Sequence, residues 1–265
     1  MSRLFRKMES RQLALGAYVK GSPHLMPGLA KAGFDFVRPD MMFSSIDWKE
    51  LDHIIRASAL ADLTTMVRVP NNPWFGGADN VQCVVDASRA FSIGADAVQV
   101  SVASAKQVEA LLHISRDWHR SGAGEFPSTA DELRNHQQKI ARQALIVPSI
   151  ESKTAIAQIK DIASLEGMRA IFIACTDFAE QLGHPFDYEH PEVWAAFDKI
   201  AQLARDHHLT LIANTGYVYK TMEGNAKRVK DLYDHGAQVV MIQGVEFLLE
   251  VLCREMLDRI NDKMT

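Results

Sequence analysis

The sequence predicts an α/β protein, a single (β/α)8 TIM barrel that spans residues 1–265 as one domain. Eight short apolar runs, rich in β-branched residues, alternate along the chain with longer segments of helical periodicity. The length of 265 residues suits a closed barrel of this kind, which typically needs about 250. Gly33-Phe34-Asp35 and Gly94-Ala95-Asp96 precede two of the runs, where glycine is expected to end the preceding helix.

The eight runs are the expected strands, and their continuous apolar character indicates burial on both faces. In chain order they are Leu15–Val19, Phe34–Arg38, Thr65–Val69, Ala97–Ser101, Leu145–Ile150, Ala170–Ala174, Thr210–Ala213 and Gln238–Ile242. A doubly wound open sheet also alternates strands with helices and is the rival fold. Eight units within this length favour closure into a barrel.

The composition argues against several classes of protein. Hydrophobic residues make up 47% of the chain and charged residues 23%, which is a globular mixture rather than a disordered one. No extended Lys/Arg stripe occurs, so we expect no nucleic-acid partner. Because no run of about 18 apolar residues occurs, we expect no membrane span and a cytoplasmic location. The three cysteines have no zinc or disulfide spacing and are expected to be free thiols.

Two acidic residues follow neighbouring expected strands, at the end of the barrel where catalytic residues lie in this fold. Glu151 comes directly after the fifth strand, and Asp177 follows the sixth. Their carboxylates can converge on one ion, and hard oxygen ligands with open positions suit Mg²⁺ or Mn²⁺. Each carboxylate taken alone can instead cap a helix N-terminus, so the metal site is a hypothesis at this point.

Arg68 ends the third expected strand, where a guanidinium without an anionic partner is costly to bury. Asp40, which follows the second strand, can supply that partner in a structural salt bridge. The alternative is a catalytic role, in which Arg68 binds a carboxylate or stabilises an enolate beside the metal.

Together these strand-end residues resemble the HpcH/HpaI aldolases, metal-dependent class II pyruvate aldolases of the phosphoenolpyruvate/pyruvate superfamily. The resemblance runs from Leu15 to Leu257 and is carried by Ala32 to Val37 with Asp40, by Val67-Arg68, by Pro148 to Glu151 and by Ile171 to Asp177. It implies a carbon–carbon lyase that cleaves a 4-hydroxy-2-oxo acid to pyruvate and an aldehyde.

The resemblance also implies roles for individual residues. Glu151 and Asp177 match the family's metal ligands, and Arg68 matches the arginine that steadies the enolate. Backbone N–H groups around Thr176 and Asp177 match the part that holds the substrate carboxylate. Ser149 replaces a glutamine two residues before the metal glutamate, and we expect it to contact the substrate.

The chain departs from the family pattern at the acid/base. Phe43 stands where the family carries a histidine, and Ser92 stands where it carries the aspartate that partners the histidine. A positioned acid/base typically contributes about 10²–10⁴-fold to the rate. Ordinary aldol turnover is therefore expected to be impaired unless a metal hydroxide, His184 or Tyr217 substitutes. Phe43 also makes the expected substrate pocket more apolar.

These departures leave several hypotheses about function open. The first is a metal-dependent carbon–carbon lyase acting on a small 2-oxo acid, by aldol cleavage or by decarboxylation. The second is a 2-oxo-acid-binding relative that has lost turnover. An acyl-CoA lyase of the related citrate-lyase type is a further alternative, although no extra basic segment is present for the CoA phosphates.

The last expected helix, Val245–Ile260, carries more apolar residues than contact with one barrel wall requires. The resemblance implies hexamers built from dimers that exchange their C-terminal helices. We therefore expect a homo-oligomer, hexameric or dimer-based, and packing of this helix against its own barrel is the alternative.

Overall fold

The computed structural model describes residues 2–70, 81–117, 129–132, 134–135, 144–216 and 221–264. Eight parallel strands form a closed barrel in which each strand pairs with its neighbours in the chain and the eighth closes on the first. The predicted (β/α)8 fold is confirmed.

The strands are short, and their bounds lie within two residues of the predicted runs. They are β1 (Ala14–Val19), β2 (Phe36–Pro39), β3 (Thr64–Arg68), β4 (Ala97–Ser101), β5 (Leu145–Ser149), β6 (Ala170–Ile173), β7 (Thr210–Asn214) and β8 (Val239–Gly244). The second run was predicted to begin at Phe34, which was wrong. The Phe34 N–H bonds instead to the carbonyl of Leu29 and helps to end the preceding helix.

The helices follow the strands in the expected alternation. They are α1 (Arg3–Glu9), α2 (Met26–Ala32), α3 (Trp48–Leu60), α4 (Gln82–Ile93), α5 (Ala105–Asp117), α6 (Lys153–Ala157), α7 (Ile159–Ala163), α8 (Cys175–Gln181), α9 (Pro191–Asp206), α10 (Met222–Asp234) and α11 (Val245–Met264), with a 3₁₀ turn at Pro23–Leu25. None of these helices, over the residues described, is both long and apolar enough to cross a lipid bilayer.

Apolar side chains fill the barrel interior toward the amino ends of the strands. Phe36, Met66 and Phe172 are buried there and form one cluster with Leu4 and Phe5 of α1. Helix α1 therefore closes this end of the barrel. The functional side chains are left to the opposite end, as in barrels generally.

Polar side chains occupy the inward-facing positions toward the carboxyl ends of the strands. Alternation along β2 places Phe36, Arg38 and the following Asp40 on the same face. The strand register sets Arg68 of β3 beside Gln99 of β4. Because these positions converge at one end of a closed barrel, the buried polar residues lie close together.

Candidate active site

Six buried polar residues at the carboxyl ends of β2 to β5 form a closed ring, here called the polar ring. Its members are Arg38, Asp40, Arg68, Gln99, Ser149 and Glu151. Along one side, Arg38 Nη1 donates to Gln99 Oε1 at 2.9 Å, and Gln99 Nε2 donates to Ser149 Oγ at 3.3 Å. Ser149 Oγ then donates to Glu151 Oε2 at 2.7 Å. Glu151 is the last acceptor in this series of hydrogen bonds.

The other side of the polar ring is a set of ion pairs. Asp40 Oδ2 accepts from Arg38 Nη2 and from Arg68 Nη1, each at 3.3 Å. Arg68 Nη2 lies 3.9 Å from Glu151 Oε1 and closes the ring. Since each carboxylate faces an arginine and each arginine a carboxylate, the burial of these charges is compensated.

Asp40 also holds the loop that follows β2. Its Oδ1 accepts hydrogen bonds from the backbone N–H groups of Met42 and Phe43, at 2.8 and 3.0 Å. Burial acts to raise the pKa of Asp40, but the charges of Arg38 and Arg68 and these two N–H groups outweigh burial and lower it. Asp40 is therefore ionised and ties this loop to the site.

Arg68 makes the salt bridge to Asp40 that the sequence offered as the structural alternative, and it also lies near a second carboxylate. It pairs with Asp40 and faces Glu151. Burial acts to lower the pKa of Arg68, but the charges of Glu151, Asp40 and Asp177 together raise it. The guanidinium therefore lies in the field of three carboxylates, in a position to meet a substrate that binds between them.

Neither Glu151 nor Asp177 is a helix N-cap. The cap of α6 is Ser152, whose Oγ accepts from the N–H of Ala155 at 3.1 Å. Helix α8 has Ala174 at its cap position, and Asp177 lies inside the first turn. The capping alternative is thus wrong for both residues.

Asp177 and Glu151 interact strongly through their charges. Burial, followed by the charge of Glu151, raises the pKa of Asp177 to about 6, and Arg68 opposes this shift. The polar ring and Asp177 together carry two arginines against three carboxylates. Two carboxylates in a site with excess negative charge offer oxygen atoms that fit a hard divalent cation such as Mg²⁺ or Mn²⁺.

Thr176 lies next to Asp177 in the first turn of α8 and contacts a residue that the sequence did not suggest. Its Oγ1 lies 3.2 Å from the hydroxyl of Tyr188, in the loop between α8 and α9. The Tyr188 ring packs where a side chain at Gly216 would lie, 2.8 Å from an added Cβ. Nothing in the sequence pattern predicts this contact, because Tyr188 belongs to no strand or helix.

Phe43 and Ser92, the positions at which the resemblance implies a histidine and its partner aspartate, carry no ionisable group. Phe43 is 56% exposed, and its ring centroid lies 4.8 Å from Arg68 Cζ, so the ring covers the guanidinium. Ser92 donates to the carbonyl of Ser88 in its own helix at 2.9 Å. Of the proposed substitutes, His184 pairs with Glu192 at 2.9 Å, and Tyr217 lies outside the described residues.

Arg38 is a site residue that sequence reasoning missed. It is 5% exposed, and its guanidinium lies 4.7 Å from the Tyr18 ring centroid. The signal was present in the sequence, because Arg38 lies two residues before Asp40 and therefore faces the barrel interior.

Comparison with known proteins identifies the family. A family model described as HpcH/HpaI aldolase/citrate lyase matches residues 16–243. The chain belongs to this family. The resemblance that the strand-end residues predicted is therefore confirmed.

Individual members of the HpcH/HpaI family are similar to the chain in sequence and in fold. The hydroxypyruvate/pyruvate aldolase of Sagittula stellata is 28% identical over 179 residues, which cover 67% of this chain and 68% of that one. A crystal structure of an HpcH/HpaI aldolase from Desulfitobacterium hafniense superposes with a TM-score of 0.79 at 18% identity, over 98% and 97% of the two chains.

A more distant solved structure is the citrate lyase beta subunit of M. tuberculosis, complexed with oxaloacetate and magnesium. It superposes with a TM-score of 0.56 at 16% identity and covers 92% of this chain and 97% of that one. Both structural likenesses show that the barrel is the fold of this family.

Proposed function

We propose that the chain is a metal-dependent carbon–carbon lyase that acts on a 2-oxo acid through a pyruvate-type enolate. The observation that carries the proposal is that the carboxylates of Glu151 and Asp177 repel each other through their charges and both act on the guanidinium of Arg68. Family membership supports an aldolase type of lyase.

Glu151 and Asp177 are the proposed ligands of a divalent cation, Mg²⁺ or Mn²⁺. A cation held there would polarise the 2-oxo acid and favour loss of a proton from the neighbouring carbon. The magnesium in the citrate lyase beta subunit supports a divalent metal in this family, and oxygen ligands suit either ion.

Arg68 is the proposed catalytic residue. Its guanidinium is preorganised by Asp40 and Glu151, so it stabilises developing enolate charge without rearranging. The first turn of α8, at Thr176 and Asp177, is proposed to hold the substrate carboxylate. Ser149 lies beside Glu151 and is proposed to contact the substrate from β5.

Phe43 is proposed to form an apolar wall of the pocket, because its ring covers Arg68 and remains exposed. This wall favours a less polar acceptor, or decarboxylation in which no aldehyde takes part. The absence of an acid or base at Phe43 and Ser92 also supports the second candidate, a 2-oxo-acid-binding relative with altered or lost turnover.

The chain is proposed to act as a homo-oligomer, hexameric or dimer-based, in the cytoplasm. Helix α11 exposes a set of large apolar side chains, and Val251 is buried. The exposed side chains are Phe247, Leu249, Leu252, Met256, Leu257, Ile260 and Met264. A second copy of the chain would remove this apolar surface from water.

The experiment measures pyruvate release from 4-hydroxy-2-oxo acids of increasing acceptor size and from oxaloacetate, coupled to lactate dehydrogenase. Release that requires Mg²⁺ or Mn²⁺ and is lost in Glu151→Gln supports the lyase. Oxalate binding, measured by calorimetry, distinguishes the second candidate, the 2-oxo-acid-binding relative, from the lyase. Metal-dependent oxalate binding without release from any substrate would favour the non-catalytic relative, and absence of both would contradict both proposals.

A further inference from the structure

Three metal-ligating side chains lie together outside the polar ring, in and after the loop between α8 and α9. They are His184, His190 and Glu192, and their ligand atoms lie within 4.8 Å of one another. Within the part of the chain that the structure describes, these three form the group of His, Cys, Asp or Glu side chains that is placed to hold a metal ion. The lyase proposed above uses none of the three.

The two imidazoles contact each other, and the carboxylate contacts one of them. The rings of His184 and His190 stack with centroids 3.5 Å apart and an interplanar angle of 16°. Glu192 Oε2 lies 2.9 Å from His184 Nε2. Tetrahedral zinc with bonds of about 2.0–2.1 Å places its ligand atoms roughly 3.3 Å apart. Rotation of these side chains, of which His184 and His190 are half-buried and Glu192 is exposed, would bring the ligand atoms to that spacing.

We propose that His184, His190 and Glu192 form a second metal site, which takes a transition ion of the zinc type such as Zn²⁺, Co²⁺ or Ni²⁺. Two imidazoles with one carboxylate are a ligand set that suits these ions. The oxygen pair of Glu151 and Asp177 suits Mg²⁺ or Mn²⁺ instead. The two sites therefore differ in the class of ion that they prefer.

Binding at the second site replaces contacts that the metal-free chain already makes. The ion takes the position of the proton shared by His184 Nε2 and Glu192 Oε2. It also takes the lone pair of His190 Nδ1, or of Nε2 after a tautomer change. In the metal-free chain His190 Nδ1 accepts from the N–H of Glu192 at 3.2 Å. Three protein ligands leave a coordination position for water or a small anion.

The ligands bracket Tyr188, whose hydroxyl contacts Thr176. An ion that joins His184 to His190 and Glu192 ties together the two ends of the loop that presents Tyr188. Binding of the ion is independent of the proposed lyase activity, whereas an effect on substrate binding at Thr176 rests on that function.

The test is a Co²⁺ titration of the full chain carrying Glu151→Gln and Asp177→Asn, which silences the oxygen pair. We expect one Co²⁺ per chain, with the visible absorption of a cobalt–imidazole complex and no competition from excess Mg²⁺. Adding His184→Gln or His190→Asn is expected to weaken binding at least tenfold. His190→Asn removes the imidazole but keeps a good helix cap. The matched control is His207→Ala, at an exposed histidine after α9.

Two results would overturn the second site: no Co²⁺ binding in the silenced background, or equal binding after either histidine is replaced. Thermal melting in chelator confirms that each variant is folded. Metal-dependent pyruvate release by the unmodified chain is measured separately. Failure of the second site and failure of the proposed lyase therefore give different results.

Discussion

Ser149 donates a 2.7 Å hydrogen bond to Glu151 at the carboxyl end of β5, where both side chains are buried. The bond engages Glu151 Oε2, and Oε1 faces Arg68 at 3.9 Å. The carboxylate is thereby held in one orientation. Ser149 thus supports the proposed metal ligand.

Ser149→Ala is expected to destabilise the chain and to weaken metal binding. It removes the donor to Glu151 and the acceptor for Gln99, and a buried polar group left without its partner costs about 1–3 kcal/mol. Urea unfolding and Mn²⁺ titration measure the two effects. Ser92→Ala is the control, with an expected change within about 0.5 kcal/mol. Equal behaviour of the two variants would refute a supporting role for Ser149.

Asp177→Asn is expected to stabilise the metal-free chain at neutral pH. Burial and then Glu151 raise the pKa of Asp177 from 3.8 to about 6, so the folded chain binds this proton more tightly than the unfolded chain does. The stability that this group contributes is fully present below pH 3.8 and is lost as pH rises through about 6. The asparagine in the variant does not ionise, so the free energy of unfolding does not fall with pH through this group. The difference amounts to about 1–3 kcal/mol.

The check is urea unfolding of both proteins in chelator between pH 4.5 and 7.5. The stability advantage of Asp177→Asn should grow with pH and reverse when Mg²⁺ is added, because only the unmodified chain keeps both carboxylates. Glu109→Gln, at an exposed position of α5, is the control. An advantage that does not change with pH would show that Asp177 is not destabilised by its ionisation.

Gly16→Ala is expected to destabilise the barrel by about 1–3 kcal/mol or more through overpacking. A Cβ at Gly16 would lie 2.1 Å from the ring of Phe36, in the filled interior. Gly28→Ala in α2 meets nothing within 4 Å and is expected to be neutral or to stabilise its helix. Thermal unfolding compares the two, and equal melting temperatures would contradict the packing of Phe36 against β1.

Restoring the family's acid/base is expected to raise the aldol rate. Phe43→His with Ser92→Asp should increase pyruvate release from a 4-hydroxy-2-oxo acid by at least tenfold, because a positioned acid/base contributes about 10²–10⁴-fold. Phe43→His alone should give less, and Phe43→Leu serves as the control. No gain in the double variant would mean that another group already moves the proton.

The fold and the main site residues were predictable because both follow from periodicity. Continuous apolar runs located the strands, and the strand ends located Arg68, Glu151 and Asp177. The hydrogen bond from Arg38 to Gln99 in the polar ring was not predicted, because it depends on which side chains meet across the closed barrel. The contact between Thr176 and Tyr188 was not predictable either, since an irregular loop carries Tyr188.

The most direct test of the central claim follows exchange of the methyl protons of pyruvate in D₂O, since exchange requires the enolate but no aldehyde. With Mg²⁺ or Mn²⁺ the unmodified chain should catalyse exchange. Chelator or Glu151→Gln should abolish it, and Arg68→Lys should slow it by about 10²–10³-fold, because lysine cannot reproduce the guanidinium fork. Absence of exchange with both ions, or equal exchange by Glu151→Gln, would contradict a metal-dependent enolate at this site.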